Sequence, residues 1–335
     1  SDSLPTSSVL VGMKITSLLI YEIASSKISM AMVPLSVTSI GSMAQKILIG
    51  ANSASIMGIS SKGIFLLAGD RWVFFLSYES DRGPLTLNLS QAGGALENIR
   101  PGHLVEIQKG DLVFPEANLR IKTEGATDWS APPHPLPVKN PADINARIKA
   151  VGREVTTERA GVGLAPLLAE LLHLSSPHLM SQSGSPYPID IQALHRALNT
   201  SEIGQVTPML QKLIGFGSGL TPSGDDLIAG FLLARNRYRD LPPLPYDLDG
   251  FNQALVELAY QKTTLLSANL IECSTLGQAD ERLILALDGV LAGTLDPASC
   301  AKLLLRWGNS SGADALLGMA LAAYKLPHDD IGYPG

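Results

Sequence analysis

Five prolines fall between residues 132 and 141 (Pro132, Pro133, Pro135, Pro137 and Pro141). Proline fixes φ at about −65° and carries no amide hydrogen, so neither a helix interior nor a sheet ladder runs through such a segment. The cluster therefore divides the chain, and the hydrophobic pattern changes across it. We read residues 1–130 as a β-rich domain, 131–141 as a linker and 142–330 as a helical domain. A chain of 335 residues also exceeds what one compact core usually holds.

Before the prolines, short β-prone runs at 47–49, 64–67, 72–76 and 85–89 are separated by Gly58, Gly63, Gly69-Asp70, Asp81-Arg82-Gly83-Pro84 and Gly93-Gly94. Further strands are expected at 103–107, 111–114 and 119–122. Their spacing predicts a small barrel or sandwich. Residues 1–43 carry no decisive pattern. After the prolines the period becomes helical. Asn140 followed by Pro141 has the form of an N-cap with proline at the first helical position. Helices are expected near 142–152, 163–174, 190–199, 202–214, 224–239, 249–273, 278–292, 298–306 and 312–325, with a Ser/Pro/Gly loop over 175–188. The predicted class is α+β: a β-rich N-terminal barrel or sandwich domain, then a mainly α-helical C-terminal domain.

Composition narrows the function. Apolar residues make up 45% and charged residues 17%, which excludes a disordered or coiled-coil chain. The formal charge of −6 comes without a basic tract, against a nucleic-acid partner. The apolar stretch 9–20 is short and contains Lys14, so neither a membrane helix nor a signal peptide is expected, and the reading is a cytoplasmic protein. Cys273 and Cys300 form no C-x-x-C or Cys/His set and read as buried thiols. The six histidines show no metal or Ser/His/Asp spacing, and read as surface or core residues.

The densest chemistry lies in Gly215-Phe216-Gly217-Ser218-Gly219-Leu220-Thr221-Pro222-Ser223-Gly224-Asp225-Asp226, which opens directly into an apolar helix. Glycines let backbone approach a ligand, hydroxyls supply hydrogen bonds, and a helix start supplies unpaired N–H groups. Together they suit a phosphate or carboxylate, although a tight turn capped by the aspartates is the plain alternative. Neither a Walker loop nor a dinucleotide fingerprint fits. A second loop, Gly308-Asn309-Ser310-Ser311-Gly312-Ala313-Asp314, opens another apolar helix. Aligning Ser223-Gly224 with Ser311-Gly312 gives S-G-x-D-x-x-x-G-x-x-x-A twice, pairing Asp226 with Asp314 and Gly230 with Gly318. Two pseudo-symmetric units aimed at one pocket, or coincidence, both remain open at this point. Thr263, Thr264 and Ser267 lie between the loops, either lining a polar wall or bonding back to helix carbonyls. Asp225, Asp226 and Asp314 have the oxygen chemistry for a divalent cation, as a minor alternative.

The order of the G-x-G-x-G-L-T-P-S-G-D-D loop, the Thr-Thr-x-x-Ser segment and G-x-S-S-G-A-D-x-L-L-G resembles a bacterial family of uncharacterised proteins. Some of its members carry a carboxylase label. One branch is the small subunit of oxamate carbamoyltransferase from allantoin degradation, within purine catabolism. The resemblance covers about 210–325. It implies phosphorolysis of oxalurate to oxamate and carbamoyl phosphate, together with other carbamoyltransferase subunits. It implies no required cofactor, with magnesium on Asp225 and Asp226 left open. Asn309 departs from the histidine expected there. On this reading Gly217, Gly219 and Gly224 allow backbone approach, and Ser218, Thr221 and Ser223 hold anionic oxygens. Asp225 and Asp226 are catalytic candidates with Asp314. Asn309, Ser310, Ser311 and Gly312 complete the pocket, and Thr263, Thr264 and Ser267 form its wall. Carbamoyl transfer can proceed by positioning and fixed donors. A carboxylase-like or amide-handling enzyme on another small carboxylate, and a non-catalytic ligand-binding subunit, are the rival readings.

Overall fold

The computed structural model describes residues 33–90, 96, 98–174, 186–201 and 203–325. The apolar stretch 9–20, most of the loop at 175–188, and His178 and His328 lie outside them.

Among the described residues, nine strands build the first half: β1 (Val33–Gly41), β2 (Ser53–Ser60), β3 (Gly63–Ala68), β4 (Trp72–Ser77), β5 (Thr86–Leu89), β6 (Leu104–Gln108), β7 (Asp111–Phe114), β8 (Leu119–Lys122) and β9 (Thr127–Trp129). The order β5-β4-β3-β2-β6-β7-β8-β1 closes on itself because β5 also pairs with β1. Eight strands thus make a barrel, and β9 runs parallel to the end of β1 through Ser39, Ile40 and Gly41. Bulges between Val37 and Ser39 and between Ile56 and Gly58 supply the bending that closure requires. Inward residues alternate as a strand dictates: Ile64 and Leu66, Phe74 and Leu76, Leu119 and Ile121 are all buried in one core.

One expected strand is a helix. Residues 47–49 belong to α1 (Ser42–Gly50), which plugs the barrel with Met43, Ala44, Ile47 and Leu48. The short apolar run has the same composition in either state, and only burial at i, i+1, i+4 and i+5 separates them.

Ten further helices are described: α2 (Pro141–Glu158), α3 (Ala165–Leu171), α4 (Ile191–Thr200), α5 (Ile203–Leu213), α6 (Ser223–Arg237), α7 (Leu248–Lys262), α8 (Leu265–Thr275), α9 (Glu281–Ala292), α10 (Pro297–Leu305) and α11 (Ser311–Ala323). Asn140 caps α2, accepting from the Ala142 amide at 3.1 Å. The single helix expected over 249–273 is two. Thr263 is extended (φ −129°, ψ −172°), and Thr264 caps α8 by accepting from Ser267 N–H at 3.1 Å. A capping hydroxyl at that point outcompetes continuation of the helix.

Helices α6 and α11 form the centre of the second half and are buried almost all round. The proline segment is laid along this domain, with Val138 N–H on Leu291 O at 2.8 Å and Arg237 reaching Pro132 O at 2.9 Å. Arg237 is neutralised by Asp288, which also accepts from the Tyr238 hydroxyl. The barrel docks through buried Asn269 on α8, whose Oδ1 accepts from Val73 N–H at 2.7 Å and whose Nδ2 donates to Arg71 O at 3.1 Å. Both cysteines are buried, and desolvation pushes their thiols up to about 12 (Cys273) and about 11 (Cys300). His195, also buried, has Nε2 2.8 Å from Tyr324 O.

Candidate functional site

The two glycine-rich loops are one structural device used twice. α5 ends where Phe216 N–H donates to Leu213 O at 2.8 Å; α10 ends where Trp307 N–H donates to Leu304 O at 3.0 Å. The next helix then ties back to the same aromatic residue. Gly224 N–H donates to Phe216 O at 2.9 Å, and Gly312 N–H to Trp307 O at 3.0 Å. Gly217 (φ +116°) and Gly308 (φ +70°) occupy the left-handed turn that follows each aromatic ring. A Cβ on Gly224 would lie 2.8 Å from the Leu213 carbonyl carbon, and one on Gly312 would lie 2.6 Å from that of Leu304.

The units cross at their second glycines. Gly230 packs on the backbone of Ala315, and Gly318 packs on that of Leu227. Leu227 and Ala315 are equivalent in the repeat, as are Gly230 and Gly318, so the crossing has pseudo-twofold symmetry. It brings the two helix starts together. Ser223 Oγ lies 3.5 Å from Ser310 Oγ, and Thr221 Oγ1 lies 3.5 Å from Ser311 Oγ.

Between the loops opens a cavity of about 500 Å³. Gly217, Ser218, Gly219, Leu220, Thr221 and Ser223 line one side; Asn309, Ser310 and Ser311 line the other. Val162, Gly163, Pro186, Tyr187 and Phe216 close it. Among the described residues, no chain group accepts from the backbone N–H of Gly217 to Thr221, of Ser223, or of Gly308 to Ser311. Apart from Gly308, the residues that carry these N–H groups line the cavity from both units, at the starts of two helices. No lysine or arginine lines it among the described residues. Arg306 is drawn away, with its Nη2 donating to Asp81 Oδ2 at 3.1 Å.

Asp226 and Asp314 lie under these hydroxyls rather than on the cavity surface; they are 2% and 0% exposed. Burial pushes Asp226 well above the usual carboxylate range, the hydroxyls of Ser311 and Thr221 pull against the rise, and the negative charges of Asp314 and Asp225 add to it. Burial also pushes Asp314 up to about 6, opposed by the Leu164 amide and the hydroxyls of Ser223 and Ser310. Asp314 Oδ1 accepts from Leu164 N–H at 2.6 Å. The other oxygen of each carboxyl is buried with no hydrogen-bond partner among the described residues.

Asp225 turns elsewhere. Its oxygens accept from Gly215 N–H at 2.8 Å and from the Thr263 hydroxyl. Burial raises its pKa, while Thr263, Gly215 and Ser267 oppose the rise. The neighbouring carboxylates of Asp225 and Asp226 thus serve different partners, and no set of three His, Cys, Asp or Glu residues among those described could hold a metal ion. Thr263, Thr264 and Ser267 lie outside the cavity lining; Thr263 and Thr264 brace the first loop, and Ser267 donates its N–H to the Thr264 hydroxyl. Thr264 donates to Leu220 O at 2.8 Å.

Sequence reasoning missed the third contributor, the segment before α3. Gly163 (φ +56°) lies directly over Asp314 and Ser310, and a Cβ there would come within 2.6 Å of Asp314 Oδ1. Tyr187 donates to Gly163 O at 3.3 Å. The signal was present: Gly161-Val162-Gly163 precedes an apolar helix, as the other two loops do.

This assembly, a β-barrel joined to a helical domain whose paired helix starts enclose an anion-suited cavity, defines the class of protein. Residues 213–323, about a third of the chain, match the family model of the oxamate carbamoyltransferase subunit AllH. The matched segment contains both loops and both crossed helices. No curated protein and no solved structure matches the chain. No helix among the described residues is long and apolar enough to cross a membrane.

Proposed function

We propose that this chain is the subunit of an oxamate carbamoyltransferase that binds the reacting anions, in the reaction of oxalurate and phosphate to oxamate and carbamoyl phosphate. The observation that carries the reading is the pair of facing loops that line one cavity of about 500 Å³ with hydroxyl-bearing residues and with residues whose backbone N–H groups have no chain acceptor among the described residues. Phosphate and the oxalurate carboxylate both need such donors. A phosphate oxygen bonds to the carbamoyl carbon, the bond from that carbon to the oxamyl nitrogen breaks, and the carbonyl oxygen carries developing charge that fixed N–H groups stabilise. Holding both reactants in one cavity turns the encounter into an intramolecular step. Since no cationic side chain among the described residues lines the cavity, we assign the missing positive charge to a partner subunit.

The test is carbamoyl phosphate formation from oxalurate and phosphate, with and without magnesium, by the full chain alone and together with the other subunits. Turnover that requires this chain and is lost in the Ser223→Ala, Ser311→Ala double variant supports the reading. Full turnover by the other subunits without this chain contradicts it.

A further inference from the structure

Each loop is held at the residue before its aromatic ring, but by different means. In the first loop that residue is Gly215, whose N–H donates to Asp225 of the helix that the loop opens. In the second it is Arg306, whose carbonyl accepts from Arg282 Nη1 at 3.0 Å. The Trp307 N–H of the same peptide group donates to Leu304 O at 3.0 Å, so this peptide plane is fixed at both ends just before Gly308 and the cavity-lining Asn309, Ser310 and Ser311. The preceding carbonyl, that of Leu305, accepts from Arg159 Nη2 at 2.9 Å. Carbonyls of a last helical turn lack partners within the helix, and two arginines from outside α10 supply them here.

Arg282 is 8% exposed, and its guanidinium works in three directions. Nε and Nη2 each donate to Asp280 at 2.8 Å, while Nη1 lies 3.3 Å from Asp81 Oδ2 on the barrel as well as bonding to Arg306 O. The fork is planar, so anchoring it on Asp280 sets where Nη1 points. Asp81 Oδ2 also accepts from Arg306 Nη2. Asp81 lies between β4 and β5, in a loop tied on both sides. The barrel holds it where Asn88 Nδ2 donates to Asp81 O at 2.9 Å. The start of α9 holds it where Glu281 N–H donates to Arg82 O at 2.7 Å and the Arg82 guanidinium pairs with Glu281. A continuous set of charge-assisted contacts therefore runs from the barrel to the stem of the second loop. The two carboxylates already neutralise Arg282, so its bond to Arg306 O serves geometry rather than charge. We propose that the barrel positions the second anion-binding loop through Arg282, with Arg282 and Asp81 as positioning residues. Neither lines the cavity. The proposal rests on the reading of that cavity as an anion site and gives the N-terminal domain a part in it.

Calorimetry of inorganic phosphate binding and amide hydrogen exchange, both on the full chain, test this. Arg282→Lys keeps a cation for Asp280 and Asp81 but loses the fork, and is expected to weaken phosphate binding by about tenfold. Exchange should quicken at Trp307 and Gly312, whose N–H groups close the second loop, and stay unchanged at Phe216 and Gly224, their equivalents in the first. Asp81→Ala leaves the Asp280 fork in place, is expected to weaken phosphate binding by about threefold, and covers the case of an Arg282 variant that fails to fold. Asn269→Leu is the control: it loosens the barrel at α8 instead, and its phosphate affinity should stay within about twofold of wild type. Unchanged phosphate affinity in either Arg282→Lys or Asp81→Ala overturns the proposal, as does exchange that quickens equally in both loops. A loss in Asn269→Leu as large as that in Arg282→Lys also overturns it, since general loosening would then be the cause. A wild-type chain that binds no phosphate removes the anion reading, and exchange at Trp307 and Gly312 then decides the positioning alone, so the two failures are distinct.

Discussion

The crossing of α6 and α11 sets the width of the cavity, and Gly230→Ala tests it. A Cβ at Gly230 would stand 2.8 Å from both the carbonyl carbon and the Cα of Ala315, and closer still to its carbonyl oxygen. Ordinary contact begins at 3.4 Å, so the helices must part by at least 0.6 Å at this point. The obstacle is backbone in a second buried helix, so no side-chain rotation relieves it. Overpacking of this kind costs about 3 kcal/mol, against which a helix-propensity gain of about 1 kcal/mol is the only offset. The net loss of about 2 kcal/mol lowers Tm by roughly 4–8 °C. Parting the helices also separates the serines of the two loops, so phosphate affinity falls with stability. Gly204→Ala is the control: nothing lies within 4 Å of its Cβ position, and it sits inside α5. That variant should be stabilised by a few tenths to about 1 kcal/mol. Scanning calorimetry with and without phosphate reads both variants. A Gly230→Ala protein as stable as wild type, or one that responds like Gly204→Ala, would refute the close crossing.

Other consequences follow from named contacts. Asp314 has its pKa raised by burial from 3.8 to about 6, so the folded state holds a proton that the unfolded chain has released; its contribution to stability is full below about pH 4 and is lost as pH rises through about 6. Asp314→Asn should therefore flatten the fall of Tm between pH 4 and pH 7, and an unaltered pH profile would contradict the assignment. Asn269→Leu removes the two hydrogen bonds that Asn269 makes to the barrel and leaves Val73 N–H without an acceptor, at about 2 kcal/mol. Hydrogen exchange at Val73 should accelerate, and unchanged protection there would count against this docking. Thr264→Val removes the α8 cap and the tie to Leu220 O, costing about 1 kcal/mol and weakening phosphate binding. Thr264→Ser should keep both properties, and equal behaviour of the two variants would contradict the bracing role.

How far the sequence could be read depended on whether the information was local. The proline cluster and the Asn140-Pro141 cap act on their own backbone, so the change from strands, which end at Trp129, to the helix that starts at Pro141 was legible. The strand at 119–122 alternates because one face meets the barrel core, and the strand at 111–114 reads as a short apolar run buried at Leu112, Val113 and Phe114. Residues 47–49 were not legible: three apolar residues suit a strand or a plug helix, and the barrel's open end decides. The break at Thr263-Thr264 is a local signal overlooked because the apolar pattern continues on both sides. At the site, the repeat assigned Ser223 and Ser311, and Asp226 and Asp314, to equivalent positions, and the structure lines one cavity with both serines and buries both aspartates. It could not show that the hydroxyls of one unit meet those of the other, Ser223 with Ser310 and Thr221 with Ser311, since that follows from helices crossing at Gly230 and Gly318. Nor could it show that Asp225 faces Gly215 and Thr263, because adjacent helical positions point about 100° apart and tertiary packing chooses between them.

The central claim is that the two loops bind the reacting anions jointly, and a crystal structure of the full chain with phosphate and oxamate tests it most directly. The account predicts both anions in the cavity at once, one on the amides of Gly217 to Thr221 and the other against Asn309, Ser310 and Ser311, with Ser223 and Ser311 hydroxyls in contact with them. Both anions bound elsewhere on the chain, with this cavity holding only water at saturating ligand, would contradict it.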